Sequence, residues 1–489
     1  MFLGIDLGTS SVKVVLVDGD QHLVDHESAS LDVERPRPLW SEQDPADWWT
    51  ATDRAVRALC ARRGAELAGV RGVGLSGQMH GAVLLDESES VLRPAILWND
   101  GRSGEQCAEL ERREPRSREI TGNAAMPGFT APKLLWVAAN EPAVFARVRR
   151  VLLPKDWLRL RMTGDAVSEM SDASGTLWLD VGRRAWSGEM LAATGLDERH
   201  MPALVEGSQP GGALRDEVAR DWGLPRGTIV AGGGGDNAAG AVGVGVVGEG
   251  EAFLSLGTSG VYFVATDAFR PHPARGVHAF CHALPGTWHQ MAVLLSAASC
   301  LAWLEGVTGA ASPAEILGPE DDPGLPPDAG LIFLPYLSGE RTPHDDPRAR
   351  GVFFGLTHET TRADLGRAVL EGVAFAFADG EAALRDAGTG IDRVSVIGGG
   401  ARSRLWGRIL ASALDRPLAY VAGGEVGPAF GAARLARLAA DGGDPLLVCT
   451  APPIDHVIEP EPELVERYAR RLPLFRALYR DLRPHFREI

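Results

Sequence analysis

Two aspartates stand where a chain would set carboxylates against a phosphorylated ligand: Asp6, just ahead of Leu7-Gly8-Thr9-Ser10, and Asp236, directly after Gly232-Gly233-Gly234-Gly235. The tetrapeptide Leu-Gly-Thr-Ser returns at Leu256-Gly257-Thr258-Ser259, and both copies lie between short apolar, β-branched runs. Each reads as a β-hairpin whose turn presents backbone N–H groups and hydroxyls. Two such tips suggest a polyphosphate clasped between two halves of the chain. A carboxylate at Asp6 would repel those phosphates unless a divalent cation lay between them, and Mg²⁺ suits one or two carboxylates with several waters. Asp and Thr also shape turns without any ligand. Asp236 opens a helix after backbone that lets a ligand approach closely, and a helix N-terminus favours anions; the competing reading is that it merely caps that helix. Gly398-Gly399-Gly400-Ala401 follows a strand and precedes a helix, which suits an adenosine lying on backbone or, equally, tight strand–helix packing. Met79 and His80, in the polar loop Ser76 to Gly81, could meet a small polar substrate through the imidazole, or His80 could be a satisfied structural group.

Those residues need elements to hold them. Asp44-Pro45-Ala46-Asp47 reads as an N-cap, a proline at the first helical position and an acidic third position, opening a helix toward Cys60. Val70 to Leu75 predicts a strand, with Ala82 to Leu85 as its return strand after the Ser76 to Gly81 loop. From Asn99 to about Asp221 the pattern is mostly helical, with loops at Met126 to Pro132 and Gly164 to Ser174. Thr228 to Gly235 is an apolar strand running into the four glycines. The second half repeats this plan: a hairpin, strands near His289 to Leu295, a loop Pro335 to Arg350, a helix Leu365 to Leu384, a strand Val394 to Ile397, and helices Arg402 to Leu414 and Gly427 to Ala440. A hinge near Gly243 to Gly250 divides the chain into 1–246 and 247–489, in keeping with a length of 489 residues. Most of the twelve tryptophans are expected in the core.

Composition excludes several classes. A net charge of −16 opposes binding to nucleic acid or an anionic membrane. The lysines, Lys13, Lys133 and Lys155, follow Val12, Pro132 and Pro154, so no Walker loop with its Gly-Lys-Ser/Thr exists. Gly243-Val244-Gly245-Val246-Val247-Gly248 has dinucleotide-loop spacing but follows a helix, which argues against that use. Asp6 interrupts the N-terminal apolar run, so no secretory signal is expected. Five scattered cysteines without a Cys-x-x-Cys pair point to reduced thiols in the cytoplasm.

Asp6-Leu7-Gly8-Thr9-Ser10, Leu256-Gly257-Thr258-Ser259-Gly260 and Ile397-Gly398-Gly399-Gly400-Ala401 resemble the two phosphate loops and the adenosine loop of the actin-like ATPase superfamily. Within it, Met126 to Trp136 and the stretch from Gly351-Val352-Phe353-Phe354-Gly355 to Glu371 resemble the two signatures of the FGGY carbohydrate kinases. Gly77-Gln78-Met79-His80-Gly81, Ile96 to Arg102, Gly234 to Gly240 and Leu337 to His344 are similar to the xylulokinase branch of that family. The resemblance implies an α/β protein of two actin-like (ribonuclease H-like) domains with a central catalytic cleft, ATP and Mg²⁺, and phosphorylation of D-xylulose at its 5-hydroxyl. It also implies roles. Asp236 would be the general base, Met79, His80, Asp236 and Asn237 would hold the sugar, and Asp6 with Asp236 would hold the metal. Gly8, Thr9, Ser10, Gly257, Thr258, Ser259, Gly398, Gly399, Gly400 and Ala401 would hold the nucleotide. Ribulokinase, gluconokinase and glycerol kinase are the neighbouring readings, and an ATP-driven conformational protein of actin-like fold is the rival from another class. Oligomeric state, a homodimer among the options, does not follow from sequence physics.

Overall fold

The computed structural model describes residues 1–317, 330–421 and 427–488. The first half contributes β1 (Phe2–Leu7), β2 (Ser11–Val17), β3 (Leu23–Ser30), β4 (Gly72–Gly77), β5 (Pro210–Ala213) and β6 (Ile229–Ala231), ordered β5-β6-β4-β1-β2-β3, with the two-residue strand Gly234–Gly235 added on β4. The second sheet is built from β7 (Glu251–Leu256), β8 (Gly260–Thr266), β9 (His278–Cys281), β10 (Trp288–Leu294), β11 (Arg393–Ile397), β12 (Leu418–Val421) and β13 (Ile454–Ile458), ordered β9-β10-β8-β7-β11-β12-β13. The β1 to β2 to β3 pairings are antiparallel, β1 to β4 and β4 to β6 are parallel, and β6 to β5 is antiparallel. The same sequence of senses runs through β7, β8, β10, β11, β12 and β13. One topology is therefore used twice, and each Gly-Thr-Ser turn occupies the same hairpin of its own sheet.

Parallel neighbours require crossovers, which helices supply. Helix α1 (Pro45–Leu67) links β3 to β4; Asp44 accepts from the Ala46 N–H at its start, and Trp48, Ala51, Ala55, Val56 and Leu59 form its buried stripe. Helix α2 (Asp236–Val244) follows the four glycines. Helix α3 (Arg362–Asp386), opened by a reciprocal Thr361–Asp364 capping box, lies beneath the second sheet. Helix α4 (Gly427–Asp441) belongs to the second half in sequence but packs on β1, β4 and α2 of the first. Small residues make this approach: a Cβ on Gly74 would lie 1.8 Å from the Ala432 carbonyl oxygen, and one on Gly431 would lie 1.7 Å from that of Ala239.

Three expectations change. Val83–Leu85 pairs with Arg150–Leu152 and not with β4, because His80, at φ 69°, turns the chain out of the first sheet. The 99–221 region carries short strands among its helices, including Val167–Glu169 and Ala203–Val205. Helices also start inside the two expected loops, at Thr130 and Met170. Among the described residues no helix is long and apolar enough to cross a membrane.

Candidate active site

The register of the first sheet sets Asp6 across from Ser76, and the Ser76 hydroxyl donates to its carboxylate at 3.0 Å. Burial raises the Asp6 carboxyl to about 6. The turn above it is rigidly held: the Gly8 N–H donates to the Ser11 carbonyl at 3.0 Å, and Gln43 Nε2 donates to the Thr9 carbonyl at 2.8 Å. The Thr9 hydroxyl donates to Gln78 Oε1 at 3.1 Å and accepts from Trp98 Nε1 at 2.9 Å. The side chain of Thr9 is thus occupied by the protein. The N–H groups of Thr9 and Ser10 have no partner among the described residues and remain as donors. Sequence reasoning does not single out Gln43, Gln78 and Trp98 as anchors, although Gln78 and Trp98 lie in two of the segments that carry the family resemblance; Trp98, 44% exposed, is not among the core tryptophans.

Asp236 lies at the first turn of α2 but does not cap it: the N-cap is Gly235, with no side-chain bond. Its Oδ1 accepts from the Asn237 backbone N–H at 2.7 Å and from Asn237 Nδ2 at 2.9 Å, leaving Oδ2 for other work. Burial, and then the charge of Asp6, raise the Asp236 carboxyl to about 7. Two aspartates 230 positions apart in sequence are therefore electrostatic neighbours. Beneath the glycine run lies a fully buried ion cluster, in which Lys155 Nζ is 2.6 Å from Asp156 and 3.1 Å from Asp172. Burial opposes the Lys155 charge, but the three carboxylates of Asp156, Asp172 and Glu169 outweigh it and raise its affinity for the proton. Glu169 fixes the Ser171 hydroxyl, which accepts from the Gly235 N–H at 3.0 Å, while Arg159 donates to the Ala231 and Gly232 carbonyls. This cluster holds the loop that carries Asp236.

Met79 and His80 extend the site away from Asp236. A Cβ on Gly235 would lie 2.9 Å from the Met79 sulfur, so only glycine admits that side chain. His80 Nδ1 donates to the Gly175 carbonyl at 2.7 Å, and burial depresses the imidazole to about 3. The ring is neutral and its Nε2 is a hydrogen-bond acceptor. Phe129 meets it edge-on at 4.8 Å, and the buried Lys133, lowered to about 7 by burial, donates to the His80 and Gly128 carbonyls.

On the second sheet, Thr258 and Ser259 are exposed at the hairpin tip, with the Thr258 carbonyl pinned by the Ala297 N–H at 2.9 Å and the Ser299 hydroxyl at 2.8 Å. The three glycines after β11 divide. Gly398, at φ 91°, and Gly400 would each bring a Cβ to 2.9 Å from Leu256, so packing accounts for them. A Cβ on Gly399 would meet only Arg402 Nη2, at 3.8 Å. Gly399→Val is expected to leave the melting temperature near wild type and to raise the KM for ATP roughly tenfold, ~1.4 kcal/mol, if adenosine lies over this turn. Steady-state kinetics with a thermal melt decide it; an unchanged KM assigns all three glycines to packing.

The FGGY family of carbohydrate kinases matches through its N-terminal domain at residues 1–243 and its C-terminal domain at residues 252–440. The chain belongs to the FGGY family of carbohydrate kinases. The xylulose kinase of Escherichia coli K12 is 53% identical over 487 residues, covering 99% of each sequence. A crystal structure of a "xyloylose kinase" from Brucella ovis superposes with a TM-score of 0.96 at 53% identity, and that of a xylulose kinase from Rhodospirillum rubrum with 0.91 at 31%, each covering 99% of both chains. This FGGY chain is a carbohydrate kinase with two actin-like domains, and the reading as a mere conformational ATPase falls away.

Proposed function

We propose that this FGGY kinase transfers the γ-phosphoryl group of MgATP to the 5-hydroxyl of D-xylulose. The observation that carries the reading is the meeting of Asp236, with a carboxyl poised near 7, and Asp6 between a phosphate-type turn and the His80 loop. The identity to relatives named xylulose kinase supports the choice of sugar. Asp236 Oδ2 accepts the proton of the attacking hydroxyl, and a pKa near the working pH suits a general base. Asn237 holds the other carboxylate oxygen still. Met79 and His80 bind the sugar, with His80 Nε2 accepting from a hydroxyl. The turns Gly8 to Ser10 and Gly257 to Ser259 hold phosphates, the first through the N–H groups of Thr9 and Ser10, and the turn Gly398 to Ala401 holds the adenosine at Gly399, where no close packing contact intervenes. We read residues 1–246 as the sugar-binding domain with the first turn, and 247–489 as the domain of the second turn and adenosine site.

Two half-buried carboxylates that repel one another fit a divalent cation, and no cluster of three or more His, Cys, Asp or Glu able to hold a metal occurs among the described residues. Mg²⁺ fits such a pair because it keeps waters and takes its remaining ligands from substrate phosphates. Asp6 and Asp236 would hold it, and it would neutralise charge on the transferring phosphoryl group. All five cysteines are unpaired, which suits a reducing cytoplasm.

The test is ADP release from the purified protein with a panel of polyols and sugars. D-xylulose is expected to give the highest kcat/KM, D-ribulose less, and glycerol or gluconate very little, because a site that hydrogen-bonds each hydroxyl leaves polar groups unpaired with an epimer. A clear preference for ribulose, gluconate or glycerol overturns the choice of sugar.

A further inference from the structure

We propose that Arg341, contributed by the second half of the chain, determines specificity for a ketose by donating its guanidinium hydrogen bonds to the carbonyl oxygen at C2 of the bound sugar. The inference rests on the sugar lying along the line from Asp236 to His80. Asn123 begins the chain of contacts that aims the guanidinium. Its Nδ2 donates to the Thr121 carbonyl at 2.7 Å and the Ala279 carbonyl at 3.0 Å, so its Oδ1 is left to accept from His278 Nδ1 at 2.9 Å. With Nδ1 protonated, His278 Nε2 is an acceptor, and Arg341 Nη1 donates to it at 3.1 Å. The His278 ring stacks on Phe280 at 5.6 Å and meets Phe129 edge-on at 5.6 Å. Phe129 in turn meets His80, and Arg341 is close enough to His80 for its charge to be felt there.

The arginine is otherwise unspent. Among the described residues it makes no ion pair and no second side-chain hydrogen bond. Its neighbour Glu340 uses one oxygen on the Leu295 and Arg341 backbone N–H groups, at 3.0 and 2.8 Å. The carboxylates of Glu340 and Asp345 act on this half-buried guanidinium only through space, and a fold retains such a group where a ligand supplies the missing acceptors. The direction of the sugar names the acceptor. Met79 touches Gly235 beside Asp236, whereas His80 and Phe129 lead away toward His278 and Arg341. With the 5-hydroxyl at Asp236, the end of a pentulose that reaches Arg341 is the carbonyl end. A carbonyl oxygen only accepts, which matches a group that only donates.

The experiment compares D-xylulose with xylitol, which carries a hydroxyl at C2, in wild type, R341Q and R341K, with melts to verify folding. R341Q is expected to lower kcat/KM for D-xylulose by roughly 30- to 100-fold while changing that for xylitol and the KM for ATP less than about threefold, so that the preference for ketose collapses. R341K, which keeps the charge but loses the planar fork, is expected to fall between. Should R341Q fail to fold, R341K carries the test. A wild-type ratio of ketose to pentitol activity in the folded variants overturns the inference, whether both activities stay or both fall together. Failure of the underlying sugar reading is seen separately, as no stimulation of ADP release by D-xylulose in the wild-type protein.

Discussion

Asp236→Asn lowers kcat by at least about 10²-fold, equivalent to roughly 2.7 kcal/mol of barrier, with the KM for ATP nearly unchanged. Asparagine preserves the shape at the start of α2 and the contact with Asn237, but it cannot take a proton. The loss is bounded because the transition state of phosphoryl transfer is loose, and positioning with charge stabilisation outweighs proton removal. The variant should fold as well as the wild type or better, since the charge that Asp6 opposes is gone. Its pH profile supplies a second check. Asp236 works as a base only when ionised, and its folded-state pKa is raised to about 7, so wild-type kcat/KM falls as pH drops through that value. Asp6, raised to about 6, begins to protonate below that and steepens the fall, as expected of a coupled pair. In Asp236→Asn the limb near pH 7 should vanish from the residual activity. Near-normal turnover, or an unaltered acid limb, would dismiss Asp236 as the base.

Gly431→Ala is expected to destabilise the protein by at least about 2–3 kcal/mol, although it adds one methyl group to a helix that would otherwise favour alanine. The new Cβ would stand 1.7 Å from the Ala239 carbonyl oxygen and 2.9 Å from the Gly243 nitrogen, so α2 and α4 must separate. Backbone is the obstacle, and it cannot swing aside as a long side chain would. Since α2 begins with Asp236, the displacement also reaches the site, and kcat should drop with stability. Gly306→Ala is the control: it lies within the helix Ala298–Thr308, and a Cβ there meets nothing within 4 Å. That change should be neutral or stabilising by up to about 1 kcal/mol. Thermal or denaturant melts of the two variants give the comparison, and equal stabilities would refute the close helix contact.

Sequence alone determined the features that are decided within a few residues. The two Gly-Thr-Ser hairpins, the Asp44-Pro45 helix start, the glycine run before Asp236 and the strand-turn-helix at Gly398 to Ala401 are all present, because turn chemistry, capping and apolar alternation act locally. Tertiary structure decided everything that joins distant segments. It set Asp6 across from Ser76 and beside Asp236, returned α4 to the first sheet, gave Val83–Leu85 the strand Arg150–Leu152 as partner, and engaged the Thr9 hydroxyl with Gln78 and Trp98. It also buried Lys155 among three carboxylates and aimed Arg341 through His278. These arrangements depend on which apolar faces bury one another and on how closely two backbones approach, and neither quantity is carried by the local order of residues.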